Sequence, residues 1–192
     1  MSLWVSLHCL VDVWLCAATV CGPSQSCISS RRVDDQRDRL KADSPKAKLE
    51  AAKLERHRRV WEAACAAIRE LDPQFADTFT ALAVTKNFEG SPHIDTLNVG
   101  PFYAVSVGDF SEGGGAICVE CSATVVAEVD TRGRLAKVDG RFPHWVTPYE
   151  GERYSLIYYQ TSGEVTPQTT AVFAPVHNGS EPWMPPEEFS LY

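Results

Sequence analysis

The sequence predicts a mainly β domain, a sandwich or rolled barrel with a long helix packed outside it, on three observations. From residue 81 onward the chain is a series of short apolar or alternating runs separated by Gly-containing turns, the pattern of strands in a rolled all-β unit. Between residues 46 and 71, apolar residues recur at three- and four-residue steps opposite a charged face, which is helical periodicity. A length of 192 residues, with 44% hydrophobic and 22% charged content, suits one ordinary globular domain with a core of fair size.

The elements follow in order. Residues Leu3 to Cys21 are apolar and about as long as a membrane span, but Asp12 and His8 interrupt them and no Lys or Arg precedes them. A charge at mid-span costs roughly 2.5–3.5 kcal/mol, and a secretory signal normally begins with a positive stretch. A membrane span is therefore not expected. Three readings stand: an amphiphilic segment packing on the domain, a weak signal or anchor, and an artefact of the start codon, with the first and third preferred. Residues Cys27 to Asp43 are Ser-rich and then densely charged, as a linker is. The domain is accordingly expected to start at Ser44, with residues 1–43 outside it.

Ser44-Pro45 has the form of a helix start, and Asp72-Pro73 ends that helix at Leu71. Gln74 to Phe79 suggests one further helical turn. Strands are expected at Ala81–Val84, Phe102–Val107, Ala116–Glu120, Thr124–Asp130, Leu135–Val138, Val146–Thr147 and Arg153–Gln160, with a last one inside Thr170–Val176. Thr131-Arg132-Gly133-Arg134 reads as a hairpin turn with Gly at a positive φ. Residues 44–176 form the domain on this reading, and 177–192, with three prolines, an irregular tail.

Within this frame lies His93-Ile94-Asp95, with His144 about fifty residues on and Arg153-Tyr154-Ser155 after that. Two imidazoles and one carboxylate form one face of an octahedron and leave three positions open, which suits Fe(II) with a bidentate co-substrate and O₂. An Arg opening an apolar strand would face the barrel interior, where an unpaired charge is expensive and a bound carboxylate would neutralise it. Arg also offers a planar fork matched to a carboxylate. A double-stranded β-helix, or jelly roll, is the arrangement that brings His93, Asp95 and His144 to one mouth. The remaining histidines lack such companions: His57 lies in a charged helix, His177 in the tail and His8 in the doubtful N-terminal run.

The order of these residues, together with the Gly-rich segment Gly108-Asp109-Phe110-Ser111-Glu112-Gly113-Gly114-Gly115, resembles the 2-oxoglutarate- and Fe(II)-dependent oxygenase superfamily. The resemblance runs from about Ala81 to Thr161. It implies His93, Asp95 and His144 as iron ligands and as the catalytic centre. It implies Arg153, with Ser155 on the same strand face, as the anchor of the far carboxylate of 2-oxoglutarate. The implied activity is oxidation of a substrate C–H bond by O₂, coupled to decarboxylation of 2-oxoglutarate to succinate, with ascorbate as a stimulant. Tyr103 is open between a hydrogen bond to the co-substrate and a place in the core. Asn98 is open between a partner of Asp95 and a surface loop position, and Trp145 between pocket wall and packing.

The Gly-rich turn and short barrel look somewhat like the TET/JBP branch, and also like prolyl-hydroxylase-like and small-molecule members. The substrate stays open between a nucleic-acid base, a protein side chain and a small molecule. A net charge of −7 argues against sequence-independent nucleic-acid binding, and Arg132, Arg134, Lys137 and Arg141 make only a weak basic cluster. Seven cysteines, four of them before residue 30, do not form a disulfide framework, so an intracellular setting, cytoplasmic or nuclear, is expected. Cys118 and Cys121 lack a second pair for zinc and should give one buried and one edge thiol. The rival reading is a cupin-like metal-binding or non-catalytic barrel, and Arg153 with Ser155 discriminates against it.

Overall fold

A computed structural model describes residues 26–29 and 45–173 except 112. The expectations for residues 1–25 and 174–192 lie outside the described residues. Helix α1 (Pro45–Arg56) and helix α2 (Arg58–Leu71) occupy the stretch expected to hold one long helix. The continuous helix is corrected to two, broken at His57. There φ −114° and ψ 24° leave the helical region, while the His57 N–H still reaches the carbonyls of Lys53 and Leu54. The break lets α2 lay Val60, Ala64, Ala67 and Ile68 against the sheet. Asp72 then caps α3 (Pro73–Thr78), its side chain accepting from the Phe75 N–H at 2.9 Å with Pro73 at the first helical position. No helix among the described residues is long and apolar enough to cross a membrane.

The strands are β1 (Ser26–Ser29), β2 (Ala81–Lys86), β3 (Phe102–Phe110), β4 (Ile117–Glu120), β5 (Val126–Val129), β6 (Ala136–Val138), β7 (His144–Val146), β8 (Gly151–Tyr159) and β9 (Val172–Phe173). They form two antiparallel sheets, one in the order β1-β2-β8-β3-β6-β9 and one in the order β5-β4-β7. The stretch read as a linker thus contributes an edge strand, since Ser26–Ser29 pairs with Ala81–Val84. The hairpin expected at Thr131–Arg134 is also corrected. Gly133 does take φ 63°, but β5 pairs with β4 and β6 with β3, so this turn carries the chain from one sheet to the other.

Strand alternation sorts the large sheet into two buried faces. On one face Leu82, Val84, Tyr103, Val105, Tyr154, Leu156 and Tyr158 pack against Val60, Ala64, Ile68, Phe75 and Phe79 of the helical side. On the other, Phe102, Ala104 and Val138 meet Ile117 and Val119 of the small sheet. The double burial explains why β8 reads as an almost continuous apolar run. A cavity between the two sheets is lined by Arg153, Ser155, Ile157 and Tyr159 of β8 and by Ile117, His144 and Val146 of the small sheet.

Candidate metal centre and carboxylate pocket

His93 lies on the loop after β2 and His144 opens β7, and the backbone ties the two together. The N–H of His93 donates to the carbonyl of His144 at 3.0 Å, and the N–H of His144 donates to the carbonyl of His93 at 2.9 Å. Their rings stand 4.3 Å apart between centroids. Asp95 enters beside them, its N–H held by the Gly140 carbonyl at 2.8 Å. One Asp95 oxygen lies 3.9 Å from His93 Nε2 and the other 3.9 Å from His144 Nε2. The three donor groups lie within 4.8 Å of one another, and among the described residues this is the group that could hold a metal ion. Ligands at about 2.0–2.2 Å from one ion, on one face of an octahedron, stand about 3 Å apart, so the three donors would draw together by roughly 1–2 Å around an ion.

The hydrogen bonds around the three side chains settle their orientation. Nδ1 of His93 faces the Ser91 carbonyl at 2.6 Å, and Nδ1 of His144 faces the Phe142 carbonyl at 3.0 Å. A carbonyl only accepts, so each Nδ1 carries a proton, and Nε2 is the ring nitrogen of each histidine on the side of Asp95. Asn98, buried, donates from Nδ2 to Asp95 Oδ2 at 3.0 Å, which resolves its reading in favour of a partner for that carboxylate. Burial pushes the Asp95 carboxyl above its ordinary range, against the pull of His144, His93 and Asn98. Burial also lowers the pKa of His144, opposed by the Phe142 carbonyl and Asp95, and so favours the neutral imidazole that ligates metals.

The same cavity, about 480 Å³ with its open mouth, runs from His93 and His144 to Arg153 and Ser155, with Trp145 in its wall. Arg153 is only 2% exposed. Its Nη1 donates to Ser155 Oγ at 2.6 Å, its guanidinium stacks near Tyr149 and Phe110, and its Nε finds no acceptor. No carboxylate among the described residues pairs with it. Burial accordingly pushes its pKa down, with Tyr149 opposing. The Gly-rich turn makes this packing possible: at Gly115, with φ 73°, a Cβ would fall 2.8 Å from Arg153 Nε.

Tyr103, read from the sequence as a co-substrate contact or a core residue, lies in the core. It pairs with Tyr158 across the β3–β8 ladder, on the helix-facing side, and its hydroxyl donates to Asp72 Oδ2 at 2.9 Å. Among the cavity residues without an individual sequence signal are Thr85, Ser106 and Phe88. Thr85 is 2% exposed, and its Oγ1 has no hydrogen-bond partner. Alternation along β2 puts it on the cavity side, but only its register with Ser155 reveals what it faces.

The basic cluster dissolves into separate local contacts. Asp139 accepts two hydrogen bonds from the Arg141 guanidinium and one from its backbone N–H, Arg134 lies 3.6 Å from Asp130, Lys137 lies 3.6 Å from Asp72, and Arg132 covers the Phe110 ring. Cys118 is buried and Cys121 exposed, as their strand positions suggested.

No protein-family model matches the chain, and no curated protein matches it. Solved structures similar to it include a prolyl hydroxylase from Trichoplax adhaerens in complex with a hypoxia inducible factor oxygen degradation domain peptide. That match has 14% identity and a TM-score of 0.46, and covers 84% of this chain and 82% of that one. NgTET1 in complex with 5mC DNA matches at 15% identity and a TM-score of 0.47, over 84% of this chain and 69% of that one. An oxidoreductase of the 2OG-Fe(II) oxygenase family from Burkholderia pseudomallei matches at 13% identity and a TM-score of 0.44, over 82% of each chain. The reading of the chain's chemistry rests on His93, Asp95, His144 and Arg153 themselves.

Proposed function

We propose that the protein is a 2-oxoglutarate- and Fe(II)-dependent oxygenase that oxidises a C–H bond of a second substrate. The observation that carries this reading is Arg153: a guanidinium 2% exposed, without a carboxylate partner among the described residues, in the same cavity as His93 and His144, two of the three side chains that could hold a metal ion. A buried charge left unpaired is strongly destabilising, so its retention points to a ligand that pairs with it. A non-catalytic barrel would have no use for it.

On this reading His93 and His144 bind Fe(II) through Nε2, and Asp95 through its carboxylate. Bound iron with 2-oxoglutarate supplies the oxidation: 2-oxoglutarate, O₂ and a C–H bond yield succinate, CO₂ and a C–OH. The chain's own groups bind, orient and exclude. Arg153 and Ser155 hold the far carboxylate, which fixes the reach of the keto acid end toward the three ligands. The Ser91 and Phe142 carbonyls keep both imidazoles in the ligating tautomer. Ile117, Ile157 and Val146 line the cavity with apolar surface that keeps bulk water from the diacid. His93, with 43% of its side chain exposed, marks the side open to the second substrate.

The test is succinate formation from 2-oxoglutarate with Fe(II) and ascorbate, without added second substrate. Slow uncoupled turnover is expected in the parent protein, and none after His93→Ala. Arg153→Lys keeps the charge but loses the fork, so 2-oxoglutarate binding should weaken by roughly 1–3 kcal/mol with iron affinity unchanged. Absence of turnover and of 2-oxoglutarate binding in the metal-loaded parent would overturn the reading.

A further inference from the structure

We propose that Thr85 is a donor to the far carboxylate of the bound diacid, kept without a partner in the ligand-free protein. This rests on the reading of Arg153 and Ser155 as the diacid's anchor. The argument starts from register. Thr85 pairs with Ser155 across β2 and β8, and Ser155 pairs with Ser106 across β8 and β3. Three hydroxyl residues therefore form one row across the large sheet, and all three line the cavity. Directly opposed residues have Cβ atoms about 4.5–5.5 Å apart, so a group touching Ser155 is within reach of Thr85.

Two of the three hydroxyls already have partners. Ser106 Oγ lies 2.8 Å from Thr131 Oγ1, and Ser155 Oγ accepts from Arg153 at 2.6 Å. Thr85 Oγ1 has no partner, although its residue is only 2% exposed. A buried hydroxyl in that state carries its desolvation penalty with nothing to offset it. Valine has nearly the same shape, suits a strand at least as well and carries no such penalty. Arg153 Nε is orphaned in the same cavity. Thr85 Oγ1 and Arg153 Nε, the latter on a guanidinium with no carboxylate partner among the described residues, match the two oxygens of one carboxylate, and a neutral ligand would leave that charge without a counter-charge.

This assignment makes affinity and stability move in opposite directions. In the full chain, Thr85→Val should raise the melting temperature of the ligand-free protein, because a methyl replaces an orphaned hydroxyl. The same substitution should weaken 2-oxoglutarate binding, measured calorimetrically with Mn(II) in place of Fe(II), by about tenfold or more. Mn(II) affinity should not change. Thr85→Ser, which restores the hydroxyl, should bind 2-oxoglutarate nearly as the parent does, and Thr85→Ala should lose affinity as the valine variant does. Parent-like 2-oxoglutarate affinity in Thr85→Val and Thr85→Ala, with Arg153→Lys weakened, would remove Thr85 from the subsite and leave the anchor standing. A fall in both melting temperature and affinity in Thr85→Val would assign the hydroxyl a structural role instead. A metal-loaded parent that binds no 2-oxoglutarate would overturn this proposal together with the reading it rests on.

Discussion

Asp95 is the residue at which folding and ligation pull apart. Its carboxyl is buried enough that desolvation raises its pKa despite two imidazoles and the Asn98 amide that favour the anion. A carboxyl whose folded pKa lies above its unfolded value makes the folded state prefer the proton. The ionised form therefore costs stability, and the cost grows as pH rises from the unfolded value, near 3.9, through the folded one. An amide does not ionise and escapes this cost. With metal removed by a chelator, Asp95→Asn is expected to melt above the parent at pH 7, with the difference shrinking toward pH 4. Thermal melts at the two pH values check it. A variant that melts below the parent at pH 7 would mean that the two histidines more than repay the burial. The same substitution should weaken metal binding sharply, because an amide oxygen is a poorer ligand than a carboxylate for a hard divalent ion.

At the scale of elements, the turn between β6 and β7 positions the carboxylate as firmly as its own loop does. A Cβ at Gly140 would fall 2.6 Å from Asp95 Oδ2 and 2.6 Å from the Phe102 ring, while the Gly140 carbonyl accepts from the Asp95 N–H. Gly140→Ala is therefore expected to displace Asp95, lowering Mn(II) affinity at least tenfold while the cooperative unfolding transition persists. Titration with Mn(II) beside a thermal melt separates the two effects. The residues of this site differ in how visible they were beforehand, and geometry explains the difference. His93 and Asp95 share a tripeptide, and Arg153 and Ser155 share one face of one strand, so local spacing alone relates them. Thr85 and Tyr103 acquire their places from cross-strand register, and Gly140 from the approach of its turn to Asp95. Once Ser106 is opposite Ser155, Tyr103 must point with Tyr158 to the helices. Likewise Thr131-Arg132-Gly133-Arg134 has turn chemistry that serves a hairpin or a crossing between sheets equally, and only the partners of β5 and β6 distinguish them. The amphipathic periodicity of residues 46–71 was plain, but the kink at His57 leaves that periodicity nearly intact and so escaped it.

Across the whole molecule, the large sheet reaches from β1, before the first described helix, to β9. β1 covers the edge of β2, the strand that carries Thr85. A truncation beginning at Ser44 exposes that edge, and it should unfold at a lower temperature and associate more readily than one beginning upstream of Ser26. Melting curves and light scattering on the two truncations compare them directly, and equal behaviour would show that β1 is dispensable. The reciprocal backbone bonds between His93 and His144 have a consequence of a different kind. These two amide hydrogens are locked to each other's residues, so neither exchanges with solvent until the pair separates. Their exchange rate is thus a clock for the opening of the centre itself, readable without any ion present. Because the lock is made of main chain, it holds the two imidazoles adjacent with or without an ion. Small domains whose ligands come together only around a metal behave differently: they lose their fold when the metal leaves.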